Sequence, residues 1–312
     1  MSKRIRIIGA ASGVGAQDRG CADGPVAFHH SRAWHELEHH PLIDWGTTLF
    51  ALDRPGLAPV ERVADLCRDL AGEVADALAA EAFPLVIGGD HSIAIGTWSG
   101  VARHVGSPLG LVWIDAHLDS HTPETSYSGA IHGMPLACLL GRGDKRLLGI
   151  GLAGLQLSPQ HTVVVGPRSW EPEEAEFHAR LGVRVIAGDE IGRRGFADCL
   201  DEALYIVAGA PAGFGVTLDL DAIDPEIAPG VGSPEPEGLS AAAVRLGLRR
   251  LAGLAGLQAL EIVEYNPDRD RHGITARLVA DQARCLLPAV RLQPPRTHRT
   301  ALPGVRLPVR LG

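Results

Sequence analysis

The sequence predicts a single α/β domain of three layers, with a central, mainly parallel sheet between two layers of helices. Three observations predict it. Short apolar, β-branched runs alternate with longer helix-periodic segments along the 312 residues, the pattern of successive βα units. Runs such as Phe214-Gly-Val-Thr-Leu-Asp-Leu220 are apolar or small on both faces, as a strand covered on both sides requires. No linker, repeat or low-complexity stretch interrupts the middle of the chain. One domain is therefore expected over residues 1–292, followed by an irregular Pro- and Arg-rich tail over 293–312.

The strand-like runs fall at residues 5–9, 47–52, 85–88, 109–114, 162–166, 183–187, 214–220 and 257–263. Of the helical segments, 60–82 is the clearest. Val63, Leu66, Leu70, Val74 and Leu78 recur there at steps of three and four, which builds one apolar stripe. Ser240 precedes Ala-Ala-Ala-Val-Arg-Leu and reads as the N-cap of a second helix. Residues 275–287 read as a third, and Ser92 precedes a helical stretch over 93–105.

Composition excludes several function classes. Hydrophobic residues make up 46% and charged residues 21%, ordinary for a globular protein. The net charge of −8 gives no attraction to nucleic acid or an anionic membrane, and an aromatic content of 4% offers no base-stacking platform. The one basic stretch is the tail, with Arg291, Arg296, Arg299, Arg306 and Arg310, read as a solvated or subunit-contacting segment. No apolar run suits a signal peptide or a bilayer span. Five scattered cysteines with no Cys-x-x-Cys pair argue against disulfides and thiolate metal sites, and a cytoplasmic home is expected.

Ligands of open α/β sheets bind beyond the carboxyl ends of the strands. Four strand-like runs deliver polar groups to that edge: Gly89-Asp90-His91-Ser92, Asp115-Ala-His117-Leu-Asp119, Asp219-Leu-Asp221 and Glu264-Tyr-Asn-Pro267. In an extended strand, residues two and four apart share a face, so Asp115, His117 and Asp119 are expected on one side, as are Asp219 and Asp221. Crowded carboxylates repel and cannot all stay ionised without a cation. His91, Asp115, His117, Asp119, Asp219 and Asp221 are thus candidate metal ligands. Their oxygen-rich donor set with two imidazoles suits Mn²⁺ or a similar divalent ion and exceeds what one ion needs. Two ions about 3.5–4 Å apart, sharing carboxylates and an acidified water, would satisfy it. Asp90 fits a partner that orients His91, and Asp224, before Pro225, fits a turn.

With these residues in hand, the chain is identified by resemblance as a member of the ureohydrolase superfamily, which holds arginase, agmatinase and formimidoylglutamase. Gly88-Gly-Asp-His-Ser92, Asp115-Ala-His-Leu-Asp119 and Asp219-Leu-Asp-Ala-Ile-Asp-Pro225 resemble the family's three metal motifs and occur in its order. The resemblance implies an arginase-like α/β fold, a trimer or hexamer, and two Mn²⁺ per subunit. His91, Asp115, Asp119 and Asp219 would hold one ion, and Asp115, His117, Asp219 and Asp221 the other. It further implies a small guanidino substrate, with His132 as proton shuttle, Asp119 aiming the attacking hydroxide and Glu264 facing the guanidinium. Ser126 and Ser128 match positions that hold an α-carboxylate, Glu171 an acid near the α-amino group, and Ser233 a hydroxyl lining the pocket. L-arginine cleaved to ornithine and urea ranks first, because Ser126 and Ser128 would have nothing to bind in agmatine. Two positions depart from arginase: His121 and Ala130 stand where the family has asparagines, and a protonated His121 could still bind a carboxylate. The stretch Glu264-Tyr-Asn-Pro-Asp-Arg-Asp270 is closer to agmatinase and formimidoylglutamase, which leaves another guanidino acid, agmatine or formimidoylglutamate as the alternative substrate.

Two rival classes remain open to test. A two-metal phosphoesterase needs cations to clamp phosphate, whereas Glu171 and Glu264 at the expected mouth favour a cationic substrate. A non-catalytic binding protein of the same fold has no need of an intact ligand set together with His132 and Glu264.

Overall fold

A computed structural model of the protein describes residues 4–151 and 156–287. Eight strands form one sheet: β1 (Ile5–Ala11), β2 (Ile43–Phe50), β3 (Phe83–Gly88), β4 (Leu109–Ile114), β5 (Leu157–Val165), β6 (Arg184–Ile186), β7 (Phe214–Asp219) and β8 (Leu257–Val263). Their order is β2-β1-β3-β8-β7-β4-β5-β6, and every neighbouring pair is parallel. Each expected strand is present. The boundaries shift where pairing recruits residues that carry no pattern of their own. β2 begins at Ile43 because Ile43, Asp44 and Trp45 pair with Ile5, Arg6 and Ile7.

Alternation along each strand builds the three layers. Leu85, Ile87, Val112 and Ile114 pack on one side of the sheet against Phe196, Leu200, Val244, Leu248 and Val279. These come from the helices Phe196–Val207, Ala241–Arg249 and Ile274–Arg284. Val86, Leu111, Trp113 and Val164 pack on the other side with Leu66, Leu70, Val74 and Trp98, from the helices Pro59–Ala79 and Ala94–Val105. The stripe of Val63, Leu66, Leu70, Val74 and Leu78 is buried along its length. That helix opens with Pro59 at its first position, and the Glu61 carboxylate accepts the Ala58 N–H at 2.8 Å. Ser240 caps the helix that follows it, its hydroxyl accepting the Ala243 N–H at 3.2 Å.

The strand order is what assembles the site. β3, β8, β7 and β4 are successive neighbours at the centre of the sheet, so the four motifs that follow them meet above one stretch of its carboxyl edge. The tail over 293–312 lies outside the described residues.

Candidate metal centre

The local chain at each strand end differs from the extended geometry expected from sequence. β4 stops at Ile114, so Asp115, His117 and Asp119 do not lie on a strand face. Asp115 Oδ1 accepts the His117 N–H at 2.7 Å, and Asp119 sits in the left-handed region at φ 47°. Asp219 ends β7, and its Oδ1 accepts the Asp221 N–H at 2.8 Å in the turn Leu220–Ala222. An extended strand would string these acids along a line. The self-bonded turns fold them back toward one point.

His91 opens the turn between β3 and the helix Ala94–Val105. Asp90 fastens that turn. Its carboxylate accepts Ser12 Oγ at 2.7 Å, Gly15 N at 3.0 Å, Ser92 N at 3.1 Å and the Ser92 hydroxyl. Asp224 keeps to its turn, accepting Glu226 N at 3.0 Å.

All six expected ligands converge in two groups. His91 Nδ1 stands 3.1 Å from Asp115 Oδ2, 3.0 Å from Asp119 Oδ2 and 3.1 Å from Asp219 Oδ2. His117 Nδ1 stands 3.5 Å from Asp115 Oδ1 and 3.1 Å from Asp221 Oδ2. Asp115 belongs to both groups. Burial raises Asp219, with repulsion from Asp221 and Asp115 behind it, and raises Asp119 to about 7, with Asp115 adding to the push. Burial alone would lower both imidazoles, but the carboxylates around them outweigh it and hold His91 and His117 well above the usual range. A cluster of this kind seeks positive charge at its centre.

The residues fit divalent cations. His91 Nδ1 is buried and has no hydrogen bond of good geometry, although three carboxylate oxygens surround it at near-equal distance. That arrangement suits co-ligands turned toward a common ion better than hydrogen-bond partners. Trp113 closes the floor. Its indole donates to Asp115 Oδ2 at 2.7 Å and its ring stacks on His91 at 4.2 Å between centroids.

Above the cluster opens a cleft of about 270 Å³, whose lining includes Asp119, Asp219 and Asp221 at the floor and His121, Ser128, His132, Glu171, Ser233 and Glu264 on the walls. Ser126 is not among its lining residues; its hydroxyl accepts the Gly129 N–H at 3.0 Å and shapes the turn that presents Ser128. Glu264, at φ 65°, accepts from His91 N at 2.8 Å, Cys21 Sγ at 3.1 Å and His132 Nδ1 at 3.0 Å. Gly232 makes room for it, since a Cβ there would stand 2.5 Å from Glu264 Oε2. Burial lowers His132, but the Glu264 hydrogen bond and charge overcome this and raise it to about 9. At the mouth, His121 Nε2 donates to Glu171 Oε2 at 2.9 Å and Nδ1 lies 3.1 Å from Thr125 Oγ1. Both ring nitrogens of His121 are thus engaged within the protein.

Several residues of the site escape a sequence reading. Cys21 and Glu174 come from distant segments with no motif of their own; Glu174 Oε1 accepts Ser120 N at 2.9 Å and so holds the chain just after Asp119. Arg168 Nη2 donates to the carbonyls of Asp221 and Glu235, both at 2.8 Å. Glu261 is the one that left a signal, a carboxylate among the apolar residues Ala259, Leu260, Ile262 and Val263 of the buried part of β8. Among the described residues all five cysteines are free and buried, and no helix is long and apolar enough to cross a membrane.

Comparison with known proteins adds the family. The model of the Arginase family matches residues 3–288. An arginase of Brevibacillus brevis is 39% identical over 285 residues, covering 89% of this chain and 95% of that protein. An arginase of Bacillus caldovelox is 38% identical over 283 residues, covering 88% and 94%. The crystal structure of arginase from Bacillus cereus superposes with a TM-score of 0.84 at 35% identity, covering 91% of this chain and 98% of that one.

Proposed function

The chain belongs to the arginase family, and on that premise we propose that it hydrolyses the guanidinium group of L-arginine to ornithine and urea with a pair of divalent cations, read as Mn²⁺. The observation that carries the proposal is the cleft itself, which joins the two-group carboxylate–imidazole cluster to Glu264, His132 and Glu171 in one space. A cationic head entering it meets acids at both ends.

His91, Asp115, Asp119 and Asp219 would hold one ion, and His117, Asp115, Asp219 and Asp221 the other. Bound there, the pair supplies the Lewis acidity that makes water a nucleophile at neutral pH. The protein does the rest. Glu264, fixed by three donors, faces the guanidinium and neutralises it. Asp119 accepts a hydrogen bond from the attacking water, aims it at the guanidinium carbon and takes up the proton that the water loses as the C–O bond forms. As the new C–O bond forms and the C–N bond to the ornithine side breaks, the departing amine needs a proton. His132 holds one. Its Nδ1 donates to Glu264, which leaves Nε2–H free to give its proton to the amine. At the mouth, Glu171 receives the substrate's α-ammonium, with His121 holding its carboxylate in place, and the Ser128 hydroxyl faces the α-carboxylate. Ser233 lines the opposite wall. We assign the protein to the cytoplasm, as a trimer or hexamer.

The test is a panel of arginine, agmatine, guanidino acids and formimidoylglutamate given to Mn²⁺-loaded protein, with urea, formamide and ornithine measured. Urea and ornithine in equal amounts from arginine, at the highest kcat/KM of the panel, are expected. Formamide from formimidoylglutamate as the main product, or no product from any member, would reject arginine hydrolysis.

A further inference from the structure

Behind His91, on the side away from the carboxylates, β7 and β8 bring Thr217 and Glu261 opposite one another in register. Both side chains are fully buried. Glu261 touches no cleft and belongs to neither ligand group, yet a carboxylate at the centre of a sheet is costly unless something uses it. The Thr217 hydroxyl donates to Glu261 Oε1 at 2.8 Å. His91 Nε2 lies 3.1 Å from the same Thr217 oxygen and 4.0 Å from Glu261 Oε1.

The direction of this chain follows from what each atom can do. The hydroxyl has one hydrogen, and Glu261 takes it. Toward His91, Thr217 Oγ1 is therefore an acceptor, and the imidazole must present a hydrogen at Nε2. A ligating imidazole keeps only one hydrogen. With that hydrogen on Nε2, the bare nitrogen is Nδ1, the atom turned toward Asp115, Asp119 and Asp219. Trp113, stacked within 17° of parallel, fixes the plane of the ring, and Thr217 fixes its rotation within that plane.

We propose that Glu261, acting through Thr217, is a positioning residue that locks His91 in its Nε2–H form and so sets the affinity for the cation held by His91, Asp115, Asp119 and Asp219. Resting on the reading of His91 as a ligand, the proposal adds a role for an acid that touches no ion. Reversing the chain would reverse the effect. Without the Glu261 acceptor, the Thr217 hydroxyl is free to donate to Nε2, which pushes the hydrogen to Nδ1 and blocks the lone pair the cation needs.

The experiment titrates Mn²⁺ alone into chelator-stripped, full-length protein by calorimetry, comparing wild type with Glu261→Met, Thr217→Val and Thr217→Ser. Wild type is expected to bind two ions. Glu261→Met and Thr217→Val should weaken one of them by about 10–100-fold, the usual cost of losing such an outer partner, and leave the other within about threefold. Thr217→Ser keeps the hydroxyl and should bind as wild type does. A second measurement needs no variant: imidazole ¹⁵N shifts of Zn²⁺-loaded wild type should show His91 bound through Nδ1 and protonated at Nε2. Both ions bound at wild-type strength by Glu261→Met and Thr217→Val, or His91 bound through Nε2, overturns the proposal. Wild type that holds fewer than two ions overturns the ligand assignment as well, so the two failures are told apart.

Discussion

His132 Nδ1 donates to Glu264 Oε1 across 3.0 Å, which ties the proposed proton donor directly to the acid proposed to face the guanidinium. Glu264 keeps His91 N and Cys21 Sγ as donors without His132. Replacing His132 with alanine should therefore slow turnover and spare the metal centre. General acid catalysis by a placed imidazole contributes about 10²–10⁴-fold, and kcat for urea release should fall by that order. Metal content, measured on the purified variant by plasma mass spectrometry, should stay at the wild-type value. Lost metal would make His132 a ligand or a fold residue and remove its assigned role.

The same pair fixes the titration of His132. Burial alone would bring the imidazole below 6.5; Glu264 reverses this and raises it to about 9. A raised imidazole stabilises the fold fully below the unfolded value of 6.5, and that contribution is lost as pH rises through about 9. In Glu264→Gln, with the charge gone and burial left, the His132 pKa should fall steeply. NMR titration of the imidazole in cation-free protein measures this. An unmoved pKa in Glu264→Gln would show that Glu264 is not its cause.

How much of this was legible in the chain depends on the kind of information each feature needs. The eight strands and the layer order follow from hydrophobic periodicity, a local property. The convergence of His91, Asp115, His117, Asp119, Asp219 and Asp221 was legible as motifs, but through the wrong geometry: extended-strand spacing placed the acids on a shared face, whereas β4 ends before Asp115 and turns bring them together. Nothing local states that β3, β8, β7 and β4 are neighbours, because strand order is set by long-range pairing. Cys21, Glu174 and Thr217 act through partners 50 or more positions away, or on the next strand, and only coordinates reveal them. His121 was legible as a departure from its family. That it engages Glu171 was not.

Asp115 lies in both ligand groups, while Asp221 lies in only one. Asp115→Asn should therefore lose both cations and Asp221→Asn only one. Mn²⁺ stoichiometry after dialysis measures the difference. Cation removal from wild type should also lower the melting temperature, since a ligand at about 100 times its Kd stabilises the fold by about 2.7 kcal/mol. Equal losses in the two variants would contradict a shared Asp115.

Glu171 and His121 form a pair at 2.9 Å that separates binding from chemistry. Glu171→Gln removes the charge proposed to meet the α-ammonium and should raise KM for arginine by about 10-fold or more, the value of one charge-assisted hydrogen bond, with kcat nearly unchanged. His121→Asn frees the Glu171 carboxylate and should raise KM less. Because His121 acts through Glu171, the double variant should be no worse than Glu171→Gln alone. Steady-state kinetics of the four proteins settle it, and additive losses would mean that His121 meets the substrate directly.

His178 supplies a pH dependence that is independent of the metal. Its Nε2 lies 2.8 Å from the Ser120 hydroxyl, in the chain just after Asp119, and burial lowers its pKa from 6.5 to about 4. A histidine depressed in the fold takes up its proton more readily when unfolded. Stability should therefore be complete above 6.5 and decline as pH falls, until the folded form also protonates near 4. Between pH 7 and 5 the loss should be about 2 kcal/mol from this residue, by the linkage relation. Urea unfolding of cation-free wild type and His178→Gln at both pH values isolates it. Glutamine can keep a bond to Ser120 and does not titrate, so the variant should lose less stability on acidification than wild type. Equal losses would place the acid sensitivity elsewhere, in the carboxylates of the cluster.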